Sequence, residues 1–110
     1  MTDELRSSRP AGVDADLNLM FALLDALRDF ASDPEKARDS ARVYDFSIRW
    51  GTMLSGRLER LAYYHGQGRL APEEQARYDS LRSALREMLP LVKRLGLASP
   101  SVPLDDADRR

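Results

Sequence analysis

Between residues 37 and 62 the sequence places apolar or small side chains on two sides of one helix. At 100° per residue, Ala37, Ala41, Tyr44, Ile48, Gly51, Ser55, Leu58 and Ala62 recur at alternating steps of four and three and share one side. Val43, Phe46, Trp50, Leu54, Leu61 and Tyr64 form a second stripe, roughly 130° further round by the same arithmetic. A helix lying on a surface needs an apolar arc of little more than about 100°, so this one must be covered from two directions.

The flanking sequence supplies other helices but little cover. Residues 14–31 read as a first helix with Asp14 or Asp16 as its cap. Leu17, Met20, Leu24, Leu27 and Ala31 make its stripe, widened by Leu19, Leu23 and Phe30. Ser32-Asp33-Pro34-Glu35 combines cap oxygens, a first-turn proline and an acid at the positive dipole end. The second helix starts there and is expected to run to His65, with Gly51 and Gly56 as weak points where it bends or breaks. His65-Gly66-Gln67-Gly68 ends it, and Ala71-Pro72-Glu73-Glu74 opens a third helix reaching Leu95. Its seam is Tyr78, Leu81, Leu85, Met88, Val92 and Leu95; Pro90 predicts a kink, and Gly96-Leu97 predicts a C-terminal cap.

The expected fold is therefore all-α: an antiparallel helical hairpin plus an N-terminal helix, three helices in all or four if the central one breaks at Gly51. Short connections make neighbouring helices antiparallel. Residues 1–12 are expected to be a flexible leader, 13–98 a single helical-bundle domain, and 99–110, with Pro100, Pro103 and the run Asp105-Asp106-Ala107-Asp108, a flexible acidic tail. Three short helices cannot cover the two-sided one, so oligomerisation is expected to complete the bundle. Val43, Trp50, Leu54 and Leu61 are the expected partner-binding residues, with Trp50 as an aromatic anchor. Gly51 and Ser55 are expected to let another helix cross closely.

Composition narrows the function. The chain contains no cysteine, which removes disulfides, thiolate metal sites and cysteine nucleophiles together. His65 is the sole histidine and no Glu-x-x-His pair exists, so no metal or other cofactor is expected. Neither a signal-peptide core in residues 1–12 nor a run of about 18 apolar residues is present, and the expected location is cytoplasmic, without a membrane partner.

Net charge is -1, yet residues 35–69 hold seven Lys and Arg against four acids. Arg38, Arg42, Arg49 and Arg60 fall within about 40° on the central helix and form the candidate nucleic-acid ridge. Such a ridge neutralises phosphates without reading sequence. Asp25 and Asp29 on the first helix offer it an internal acidic counterpart, and no nucleic-acid motif signature accompanies it.

The segment Arg60-Leu61-Ala62-Tyr63-Tyr64-His65 is similar to the Arg-x4-His element of HEPN-type ribonucleases, a small, helical and often dimeric family. The resemblance implies RNA cleavage dependent on His65. It spans six residues, lacks the polar residue that commonly follows the arginine, and on a continuous helix its two ends project about 140° apart. Without an assembled catalytic set, the leading expectation is a non-catalytic assembly, adaptor or regulatory protein working through helix faces, most simply as a homodimer. Nucleic-acid binding is the alternative, and ribonuclease activity a remote one.

Overall fold

The computed structural model describes residues 10–104, and they form an all-helical body with principal extents of 55 × 29 × 19 Å. In chain order come α1 (Val13–Ser32), the short α2 (Pro34–Arg38), α3 (Ser40–Met53), a π-helical turn (Leu54–Leu58), α4 (Glu59–Gly66) and α5 (Pro72–Arg94). No strand occurs among the described residues. Through the π turn, α3 and α4 make one continuous rod of about 40 Å at 1.5 Å per residue. Residues 1–9 of the expected leader and 105–110 of the expected tail lie outside the described residues.

Caps explain most boundaries. Asp33 accepts from the Glu35 and Lys36 amides at 3.0 and 3.4 Å, the cap its sequence context predicts. Asp39 does the same six residues later, accepting from Ala41 and Arg42 at 3.1 and 3.2 Å. Its backbone is extended (φ -81°, ψ 103°), so the expected unbroken second helix is split here and not at Gly51. A second capping aspartate offers the chain a fresh helix start, and the structure takes it. Asp14 and Asp16 do not cap α1; Gly12, at φ 81°, stands at that position.

Both predicted C-caps form. Gly68 (φ 67°) donates to the His65 carbonyl and Arg69 to that of Tyr64, each at 3.0 Å. Gly96 (φ 70°) donates to Lys93 at 3.1 Å and Leu97 to Val92 at 2.9 Å, with Leu97 buried in the core. These paired six-to-one and five-to-two bonds satisfy the last carbonyls of the preceding helices. At the start of α5, which lacks a capping side chain, Glu74 reaches back to accept from the Ala71 amide at 2.8 Å. Beyond Pro90, which is exposed, α5 continues to Arg94.

The interior collects Leu17, Met20, Leu23, Leu24 and Leu27 from α1, Phe46, Trp50, Leu54, Leu58 and Leu61 from the rod, and Tyr78, Leu81, Leu85, Met88 and Val92 from α5. The most extensive backbone packing between helices is that of α1 on α5. The end of the rod meets α5 where the His65 ring lies 5.0 Å from that of Tyr78 and 3.0 Å from the Gln75 side chain. Burial pushes the Tyr78 phenol above the ordinary tyrosine range, against the opposing pull of the neighbouring Arg82 guanidinium.

The π turn changes the register of the rod. Glu59 donates to the Leu54 carbonyl five residues back, which accommodates one extra residue and turns everything beyond it by about 100°. Leu58 and Ala62, which a uniform helix assigns to the outer stripe, are thereby brought to the core. Residues 99–104 also depart from the expected free tail, since Val102 and Leu104 pack on the core and Arg86 donates to the Leu104 carbonyl at 2.7 Å.

Candidate interaction surface

The rod has one satisfied apolar face and one open face. Its inner stripe is spent within the protomer: Trp50 and Leu61 are fully buried, Leu54 keeps 6 % of its surface, and Val43 is half-buried. The four expected partner-binding residues thus lie on the inner side of the rod. Trp50, Leu54 and Leu61 pack in the core formed with α1, α5 and the segment after α5. Phe46 stacks between Phe30 and Trp50 at ring distances of 5.2 and 6.3 Å, extending the same inner face.

The outer stripe remains exposed. Tyr44 retains 65 % of its surface and Ile48 retains 53 %, and Ala41 and Ser55 are exposed with them. Ala41, Tyr44 and Ile48 share one side of the rod ahead of the π turn, and Ser55 continues that side within it. Large exposed apolar side chains are ordinary singly, but two flanked by small residues on one rigid helix make a continuous apolar strip. The expected close crossing at Gly51 does not occur inside the protomer, where an added Cβ would have no atom within 4 Å. Beside Gly51 and Ser55 lies a hollow of about 160 Å³, walled by Leu54 and Leu58 and by Ser99, Ser101 and Val102 of the C-terminal segment.

All four ridge arginines are exposed, yet they do not form one row. Arg38 belongs to α2, on the far side of the Asp39 break, and the π turn rotates Arg60 away from Arg42 and Arg49. Arg42 pairs with Asp39 at 3.4 Å. Arg60 is engaged by Asp16 at 3.3 Å, by the Ala11 carbonyl and by the Tyr64 ring. The expected acidic counterpart is also different: Asp25 pairs with Arg28 on its own helix, and the buried Asp16 takes the role across the bundle.

Asp16 was legible only as a helix cap, but its side chain is 2 % exposed and holds Arg57 at 2.6 Å as well as Arg60. The π turn brings both arginines within reach of the first turn of α1. This ion cluster sits at the edge of an open hollow lined by Thr52, Met53 and Gly56.

Arg60 and His65 engage different neighbours, the former Asp16 and Tyr64, the latter Gln75 and Tyr78. No group of three or more metal-ligating side chains is assembled among the described residues, and no described helix is long and apolar enough to cross a membrane. In comparisons with protein-family models, curated proteins and solved structures, nothing matches the chain.

Proposed function

We propose that this protein is a non-catalytic helical assembly module, an adaptor or regulatory component that docks another protein chain on the outer face of α3. In this reading the rod and α5 act as an antiparallel hairpin with α1 laid against them, and the docked chain supplies the remaining side. The observation that carries it is the exposure of Tyr44 and Ile48 on a helix whose opposite face is already buried. Leaving that surface wet forgoes roughly 25 cal/mol for each Å² of apolar area, which association recovers. Burial of an apolar helix face in a partner's groove is a common mode of protein recognition.

The reading is tested with the double variant Tyr44→Glu/Ile48→Glu. Helicity should match the parent and the unfolding midpoint that of the dissociated parent, while association and retention on a hydrophobic matrix should fall. Loss of helicity would mean that the stripe belongs to the fold and would overturn the reading, as would unchanged association and retention.

The exposure of Arg49 on the rod and of Arg38 on the neighbouring α2, neither of which has an acidic partner among the described residues, favours a second reading in which α2 and the rod together touch a polyanion. Such binding would be strong at low salt, weak at moderate salt and indifferent to sequence. A mobility shift with mixed-sequence DNA and RNA at two salt concentrations tests it, and no shift at low salt would end it.

A further inference from the structure

We infer that the occupant of the open face is a second copy of this chain, paired antiparallel about a two-fold axis passing near Ile48, with each copy's Tyr44 seated in the hollow beside the other's Gly51. This rests on the docking role proposed for the outer stripe and names its partner.

The register of the stripe supports this pairing. A two-fold interface is self-complementary, so each projection must meet a recess displaced by an equal distance on the other side of the axis. With the axis at Ile48, the residue opposite Tyr44 is Thr52, next to Gly51 at the lip of the hollow. Tyr44 lies four residues before Ile48, whereas Gly51 and Ser55, which flank the hollow, lie three and seven residues after it. Ala41, seven residues before, falls opposite Ser55, small against small. At 1.5 Å per residue Tyr44 stands about 6 Å from the axis, level with the mouth of the facing recess. Ile48 then meets its own counterpart at the centre.

The chemistry of the recess suits a tyrosine. Leu54, Leu58 and Val102 are its apolar lining residues, and Ser99, Ser101 and Glu59 are polar ones beside a phenol that needs a partner once desolvated. Its volume of about 160 Å³ is comparable with cavities of about 150 Å³ that admit a benzene ring. Gly51 presents no side chain across the entrance, which lets the helices close on one another.

Because the chain has no cysteine, a single introduced thiol reports only contacts between copies. Oxidation of the full-length Ile48→Cys variant should give a disulfide-linked dimer, while Ser80→Cys on the exposed side of α5 should not. Tyr44→Ala and Gly51→Leu, at sites that are exposed or open within the protomer, should each weaken self-association at least about tenfold with helicity retained and with the unfolding midpoint of the dilute, monomeric parent.

A parent protein that stays monomeric throughout a concentration series overturns the pairing while leaving the stripe available to another chain. A parent dimer with no Ile48→Cys cross-link, undiminished by Tyr44→Ala and Gly51→Leu, also overturns the pairing and places self-association on another face. Collapse of the fold in Tyr44→Glu/Ile48→Glu, by contrast, strikes the docking role itself.

Discussion

The indole N–H of Trp50 donates to the main-chain carbonyl of Ala98 at 2.7 Å, joining the middle of the rod to the chain beyond α5. That bond explains why the chain does not leave the bundle at Gly96: the Leu97 cap turns it back, and the indole holds it along the rod. The same segment provides Ser99, Ser101 and Val102 to the hollow. A side chain expected to anchor a partner thus builds one wall of the candidate docking surface from inside.

Trp50→Phe should therefore destabilise the fold by about 2 kcal/mol, combining the lost indole hydrogen bond with a partly vacated buried site. Urea unfolding followed by circular dichroism measures it, and a change below about 0.5 kcal/mol would separate the indole from the packing of residues 97–104.

The Asp16 cluster predicts an asymmetry. Arg57 and Arg60 keep 43 % and 44 % of their side-chain surface and can relax into water when Asp16 is removed, whereas Asp16 has no such exit. Arg57→Ala/Arg60→Ala should cost about 3 kcal/mol by stranding a buried carboxylate, and Asp16→Ala about half as much. Denaturant melts of the two variants give the order directly.

The two capping aspartates should contribute independently. Asp33→Ala and Asp39→Ala each remove one side-chain acceptor for two helix-start amides and should each cost about 1 kcal/mol, additive within error in the double variant. Thermal melts test the sum.

Tyr78 makes stability depend on alkaline pH. Its folded-state phenol titrates above the unfolded one, so the unfolded chain releases this proton first as pH rises. The contribution is intact below about pH 10 and declines as pH climbs from there through the folded-state value. Tyr78→Phe should flatten that alkaline loss, and unfolding free energies measured on either side of pH 10 provide the check.

Local signals transferred well from sequence to structure. The Asp33 cap, the glycine caps at Gly68 and Gly96, the α5 seam and the two faces of the rod each depend on residues within one or two turns. What sequence could not resolve was competition among equally plausible local choices. Asp39 is an ordinary polar residue in a helical pattern until a second cap competes with continuation. The π turn has no simple sequence signature, and because it shifts register it moved Leu58 to the interior and Arg60 off the ridge. Which stripe faces inward depended on tertiary packing: Trp50 and its neighbours bury against α1 and α5, leaving Tyr44 and Ile48 outside. A search for aspartates that meet arginines across the bundle would have had to choose Asp16 over Asp25 and Asp29 without knowing the rotation that favours it.

Light scattering across a concentration series, comparing the parent with Tyr44→Ala, decides whether the chain pairs through the outer face of α3. The parent's mass should rise from one chain to two and the variant's should stay at one chain over the same range, both equally helical. A parent fixed at the mass of one chain, or a variant that pairs as readily as the parent, would rule the pairing out.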